Sequence, residues 1–448
     1  MIQHRLNPNK FLLVRSILRE TEALYKEDCC SHVLEAIDLS SYEKLIEELG
    51  RQIQAGELKP SDLDGGLIDK IYNDVSKPVK QVYGKKWIDY DYKEPGNLIQ
   101  KFKKNLWQFS CAKTLTELEY INTLLLDKNG RIKPDHLFKA DLKKANFQFN
   151  YNYINAEIQT AKRGAQMAHL WSTFVEQSHL YPNLVYRTVG DSRVRPEHEI
   201  LNGTIKSIDD PFWKTYYPPN GWRCRCTVMN TAETATTKLV DDPTVKTEFR
   251  GNTALDEEIF SSKCTFFKLL NKDHKAKENI EYMKHNMPME IAYHGKNKKK
   301  VYVSPFADPT DLNNNVESAM IIVDSLKVDV SIRAHLNVQK YKNPEYNING
   351  KISDLKTNFK ENNYNGILRA FESAKDQGCK SIAFDLTNSF KNLDIHHLWR
   401  KINSGYSSKK GTSFEEIIIV YKTKAIRLTR EDAEKGITKK MLEKLKAN

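Results

Sequence analysis

The sequence predicts a multidomain α+β protein with three parts. These are a mainly helical N-terminal part, a small Cys- and Arg-rich module that contains β-strands, and a C-terminal α/β domain. Three observations carry that reading. At 448 residues the chain is too long for one ordinary hydrophobic core. Apolar residues recur at helical spacing as far as Tyr181, where a stretch rich in Pro, Gly, Trp and Arg begins. From Lys296 onward, short strand-like runs alternate with helical ones, the pattern of a domain with its own core.

The elements follow in order. FLLVRSILRETEALY and YEKLIEELGRQI read as amphipathic helices, with Leu12, Leu13, Ile17 and Leu18 expected on one apolar stripe. LKPSDLDGG interrupts them. A second helical stretch starts near Asn97 and is expected to stop at Asn129-Gly130. FKADLKKANFQFNYNYINAEIQTAKRGAQMAHLWSTFVEQ reads as one long helix or two stacked ones. Strands and loops are expected from Tyr181 to Met229, and polar connecting sequence after them. The last region reads strand (KKKVYV), helix (NNNVESAMIIVDSL), hairpin (NPEYNINGKISDLKT), helix (NYNGILRAFESAKDQG), strand (KSIAFDL), helix (IHHLWRKINS), strand pair (EEIIIVYKTKAIRL) and a short basic tail helix. The expected divisions are 1–79, 80–229, 230–289, 290–430 and 431–448, with an accessible linker at 286–296.

Composition narrows the function classes. With 40% hydrophobic and 29% charged residues the chain is globular rather than disordered. A formal net charge of +12 suits a nucleic-acid partner, and a lysine-rich surface equally well. No apolar run approaches ~18 residues, so no membrane span is expected. The opening MIQHRLNPNK is too short and mixed for a secretory signal. Seven cysteines, an odd number, point to free thiols in a reducing cytoplasm.

In the middle module, Cys224 and Cys226 flank one residue, so on an extended chain both thiols point to one side. Thiolates so placed suit zinc, with His198 and Asp191 available to complete four ligands. Two reduced, half-buried thiols beside a capping histidine would give the same pattern. Arg187, Arg193, Arg195, Arg223 and Arg225 suit phosphate, partner carboxylates or internal ion pairs. The ordered set Arg187-Thr188, Asp191, Arg193 to His198, Leu201, Gly203, Asp210 to Trp213 and Pro218 to Cys226 resembles the phage Mu F-type head morphogenesis family of minor capsid proteins. More loosely, the resemblance extends over the helices from about Lys80 to Thr227. It implies a virion component that associates with portal and capsid proteins, and no catalysis in this part.

The C-terminal region poses a sharper problem. Asn349-Gly350 between alternating segments signals a two-residue hairpin loop. The implied pairs are Ile348 with Lys351, Asn347 with Ile352, Tyr346 with Ser353, and Glu345 with Asp354. Facing carboxylates, with Cβ atoms about 5 Å apart, destabilise a sheet. A hard cation between them reverses the sign, and magnesium is bound in this way by carboxylates plus substrate phosphate. Glu345, Asp354 and Lys356 would project from one face, with Tyr346, Ile348 and Leu355 packing on the other. The Lys356 ammonium would then orient a water and stabilise charge on a phosphate. Glu317 on the preceding helix and Gln377 on the next complete the expected catalytic set. A shifted register, with both acids solvated, is the plain alternative.

Pro344-Glu345 followed by Asp354-Leu355-Lys356 resembles the PD-(D/E)XK nuclease core, with a glutamate in the first acidic position. In element order, roughly 290–430 resembles the C-terminal tRNA nuclease domain of CdiA contact-dependent inhibition toxins. The resemblance implies an α/β endonuclease that uses Mg2+ to cleave tRNA, and an immunity protein to restrain it. The joint expectation is a phage or prophage minor head protein, found in the virion and the bacterial cytoplasm, that carries a nuclease toxin. The alternatives are a purely structural head protein whose last domain only binds nucleic acid, and a DNA nuclease acting in packaging.

Overall fold

Met1–Gly84 with Leu98–Ile280 forms one unit of the chain, and Lys85–Asn97 with Glu281–Asn448 forms the other. This computed structural model describes residues 8–26, 38–94, 96–236, 245–357, 359–360, 363–408 and 411–446. Cys29, Cys30 and the first turn of the chain lie outside that set.

Helices dominate the first unit: α1 (Pro8–Lys26), α2 (Leu39–Ala55), α3 (Gly65–Tyr83), α4 (Leu98–Leu124), α5 (Asp135–Phe147) and α6 (Ile154–Glu176). The LKPSDLDGG interruption works through caps. Gly56 ends α2 in the left-handed region at φ 77°, and the Asp64 side chain accepts from Leu67 N to start α3. The stripe expected through Leu12 lies elsewhere, on Val14, Ile17 and Thr21, while Leu12 is 65% exposed. Leu12 and Ile17 stand about 140° apart around a helix and cannot share a face. α4 stops before Asn129-Gly130, which instead forms a separate turn with Gly130 at φ 74°.

α5 runs into α6 through a π-helical segment, Gln148–Tyr153, so the long helix is continuous but widened in the middle. Buried charge gathers there. Lys113 Nζ bonds the Phe149 carbonyl at 3.0 Å and pairs with Glu157, both side chains fully buried. Tyr25 donates to Glu157 at 2.7 Å, and Asn150 donates to Glu117. Burial pushes the Glu117 carboxyl up to about 8, although Lys113 and Asn150 oppose the shift.

The small module is a three-stranded antiparallel sheet of β1 (Asn183–Arg187), β2 (Ile205–Ser207) and β3 (Thr227–Thr231), in the order β2-β1-β3. Leu184, Tyr186, Trp213 and Tyr217 pack with Met167 and Phe174 of α6. The stretch after β3 was expected to be a connector, yet it joins the core. Phe260 stacks on Phe109 at 3.9 Å, and Asn105 bonds the backbone of both Ile259 and Phe260. Its aromatics supply apolar area that the helices alone leave uncovered.

In the second unit one mixed sheet holds β4 (Glu290–His294), β5 (Lys300–Val303), β6 (Val330–Ile332), β7 (Tyr346–Ile348), β8 (Lys351–Lys356), β9 (Ser381–Asp385), β10 (Glu416–Tyr421) and β11 (Lys424–Thr429). Spatial order follows the chain from β4 to β11, with parallel pairs at β5–β6, β8–β9 and β9–β10. Each parallel pair needs a crossover, supplied in turn by α7 (Leu312–Leu326), α8 (Asn365–Asp376) and α9 (Ile395–Ser407). α7 covers one face with Val301, Tyr346, Ile348, Leu355 and Ile418. α8 and α9 cover the other with Ile382, Phe384, Ile417 and Ile419. β10 is buried at every position because it is covered on both faces.

The 286–296 stretch is not an open linker. β4 occupies Glu290–His294 and pairs with β5, and Tyr90 N donates to the Ile291 carbonyl at 2.9 Å. Tyr90 is buried in the α7-side core, which is why Lys85–Asn97 belongs to this unit. Among the described residues no helix is long and apolar enough to cross a membrane.

Candidate functional site

Asn349 and Gly350 both take positive φ, 48° and 85°, as the two-residue turn requires. The pairs are Ile348 with Lys351, Asn347 with Ile352 and Tyr346 with Ser353, so the register is the one read from the turn. Strand alternation then sends Tyr346, Ile348 and Leu355 into the α7-side core, and Asp354 to the opposite face. Glu345 sits one residue before β7, where its Oε2 accepts from Leu355 N at 3.1 Å.

Asp354 is completely buried. Its Oδ2 accepts from Lys356 Nζ at 2.6 Å and from Gln377 Nε2 at 3.0 Å. Asp354 Oδ1 and Gln377 Oε1 are buried without a hydrogen-bond partner among the described residues. The Glu345 carboxyl lies within hydrogen-bonding reach of Asp354, and burial, then that neighbour, pushes it up to about 8. Two close carboxyl groups, one of them with an unmatched oxygen, call for a positive charge between them, either a proton or a cation. Oxygen-only donors of this kind fit a hard divalent ion such as Mg2+. Cys379 is buried nearby, and burial, then the two acids, lift its thiol to about 12, which removes it as a nucleophile.

Glu317 is not brought to this cluster. α7 turns Leu312, Val316, Ala319 and Ile322 inward, leaving Glu317 exposed on the helix that covers the other face. Its neighbour Ser318 bonds Asp385 instead. Other residues, which the sequence reading passed over, do reach the site. Arg333 follows β6, its backbone N donates to the Glu345 carbonyl at 2.8 Å, and its guanidinium donates to Pro344 O at 2.9 Å. Together with His335, Lys360, Arg369 and Lys356 it lines a cleft of about 580 Å³ that Glu345 also borders. Basic side chains on loops and on the polar face of α8 look like ordinary surface in sequence; the fold makes them converge.

The middle module holds a second cluster. His198 lies in a helical turn, Pro196–Glu199, and Cys224 and Cys226 lie in the extended chain before β3. All three are buried, with His198 Nδ1 at 3.9 Å from Cys224 Sγ and 3.5 Å from Cys226 Sγ. A hydrogen bond from Cys226 and then the His198 ring hold the Cys224 thiol well below its usual range, against burial. Asp191, expected as a fourth ligand, is elsewhere. Its two carboxylate oxygens are each bound by Arg225 at 2.7 Å, because Arg225 points opposite to the flanking cysteines. The other arginines serve structure as well. Arg195 donates to Trp222 O and Arg223 to Asn152 O, while Arg193 pairs with Asp191 and Arg187 is exposed.

The chain thus has two parts, a helical unit with a small three-stranded sheet and a unit built on one helix-covered mixed sheet. Residues 130–229 match the family described as Phage Mu protein F like protein, and residues 342–426 match the contact-dependent growth inhibition CdiA C-terminal domain. Protein F of Escherichia phage Mu, whose name links it to capsid assembly, is 43% identical over 74 residues, 16% of each chain. The Mu-like prophage FluMu F protein of Haemophilus influenzae is 41% identical over 78 residues, 17% of this chain and 19% of its own. The chain therefore spans less than a fifth of the length of either relative. No solved structure matches it.

Proposed function

We propose that this protein is a phage or prophage minor head protein, associated with the portal, whose C-terminal unit is a metal-dependent nuclease of PD-(D/E)XK type that cleaves tRNA. The single observation that carries the catalytic reading is Asp354. It is buried beside Glu345, bound on one oxygen by Lys356 and Gln377, and unmatched on the other. An acid at the base of a hairpin, followed by acid-x-Lys on the next strand of a helix-covered sheet, supports that class. Similarity to the CdiA C-terminal domain supports a toxin acting on nucleic acid, and similarity to the Mu F proteins supports a place in the head.

The chain's own groups divide the work. Glu345 and Asp354 would supply the carboxylate oxygens, and Gln377 holds Asp354 in place through its amide. Magnesium bound there would acidify a water and neutralise phosphate charge. Lys356 Nζ stands at the cleft wall, where it can donate to the attacking water or to a phosphate oxygen. Arg333, Lys360 and Arg369 give the cleft cationic contacts for a nucleic-acid backbone. An immunity protein would have to cover the Glu345–Lys356 face in the producing cell.

Incubating the purified full chain with total tRNA and with plasmid DNA, in magnesium and in EDTA, tests the reading. Cleavage of tRNA in magnesium alone supports it. Cleavage confined to plasmid would replace it with a DNA nuclease acting in packaging, and cleavage of neither with a structural nucleic-acid-binding part. Failure of the chain to co-purify with portal protein would remove the head assignment.

A further inference from the structure

We infer that His198, Cys224 and Cys226 are the protein ligands of a zinc ion that ties the small sheet module together. The three ligand atoms, His198 Nδ1 and the two Sγ, lie within 4.8 Å of one another. Zinc with bonds of about 2.3 Å to sulfur and about 2.0 Å to nitrogen, at tetrahedral angles, sets sulfur and nitrogen about 3.5 Å apart. The observed separations are 3.5 and 3.9 Å.

The surroundings select the right form of each ligand. His198 Nε2 lies 3.2 Å from the Asn220 carbonyl, so that nitrogen carries the proton and Nδ1 turns its lone pair to the sulfurs. Asn220 is itself fixed, accepting from Tyr186 Oη at 2.9 Å through its side chain. Arg223, just before the first cysteine, has φ 56°, a costly conformation for a side-chain-bearing residue that turns the chain into the extended stretch where both thiols face His198. Charge also balances. Two thiolates, a neutral imidazole and Zn2+ sum to zero, which makes the cluster tolerable where all three residues are buried. Zinc would take both cysteines as thiolates, any thiol proton passing to solvent, and would leave its fourth corner to a non-protein ligand such as water, since Asp191 is committed to Arg225.

The site joins the segment after β1 to the chain entering β3, alongside the Arg225–Asp191 and Arg195–Trp222 bonds that link the same two segments. Its proposed role is to tie these segments together, and it is independent of the nuclease reading. Metal analysis of the full chain, purified without chelator, tests it. About one zinc per chain is expected. After exchange, Co2+ should give the intense near-ultraviolet band of cobalt–thiolate bonds and the visible bands of a tetrahedral site. Cys224→Ser and His198→Gln should lose the zinc, whereas Asp191→Asn should keep it. Asp354→Asn should keep it too, which separates this site from the carboxylate cluster. Since a cysteine variant can fail by misfolding, the wild-type protein decides. Wild-type chain that holds no zinc and develops no cobalt–thiolate band overturns the proposal, as does a soluble Cys224→Ser chain that keeps its zinc.

Discussion

Asp354 is fully buried with one oxygen unmatched, so a proton or a cation beside it must balance that charge. Glu345→Gln, Asp354→Asn and Lys356→Ala should each lower magnesium-dependent cleavage by about a hundredfold or more, since the two acids supply oxygens to the metal and Lys356 acts on the water or phosphate. Thermal unfolding distinguishes lost chemistry from lost fold. Glu345→Gln should melt no lower than wild type without metal, because glutamine keeps the neutral form that burial already imposes. Glu317→Gln should cleave at the wild-type rate, and a large loss there would show that the exposed position is misread. That Glu345, Asp354 and Lys356 lie together was legible in the sequence because a two-residue turn fixes which strand positions face each other, and Gln377 reaches Asp354 from the end of α8. Glu317 was misplaced because a helix's rotation about its axis is decided by its apolar contacts, not by its neighbours in sequence.

The hairpin that presents these residues depends on two positive φ angles. Gly350→Val should cost about 1–2 kcal/mol of stability, the penalty for a side chain in the left-handed region. It should also reduce cleavage by moving Glu345 relative to Asp354; chemical denaturation and a tRNA assay on one preparation read both effects. The widened helix of the first unit makes a separate prediction. Glu117 titrates near 8 when folded and near 4.5 when unfolded, so the folded state holds the extra proton. Its stabilising contribution is complete below about pH 4.5 and is lost as pH rises through about 8, at roughly 1.4 kcal/mol per pH unit. Glu117→Gln should flatten that part of the stability–pH curve; an unchanged slope would assign it to other groups. Nothing in the run QFNYNY announces a π-helical segment. It forms where Lys113 and Glu117 on the adjacent helix meet the Phe149 carbonyl and Asn150.

Across the whole chain, the decisive feature is that Lys85–Asn97 builds the C-terminal unit. A fragment starting at residue 290 lacks Tyr90 and its bond to Ile291, and should melt below a fragment starting at 281 supplemented with a peptide of residues 85–97. Equal melting temperatures would mean that the excursion contributes nothing to that core. The order of strands and helices from Lys300 to Thr429 could be read from the residues except for β6, a three-residue strand passed over between α7 and the hairpin, because the other runs are periodic and bounded by their own turns. The facing acids followed from the Asn349-Gly350 turn, and the pair of cysteines from their spacing, since both relations are local and geometric. Everything that joins distant segments was settled only by the fold. That includes Arg333 and Arg369 lining the cleft with Glu345, Asp191 bound to Arg225 rather than standing beside His198, and Tyr90 filling a core built two hundred residues later in the chain. Local pattern decides which way a side chain leaves its own strand or helix, but which segments meet depends on the apolar surface they can bury together, and no short stretch of sequence contains that sum.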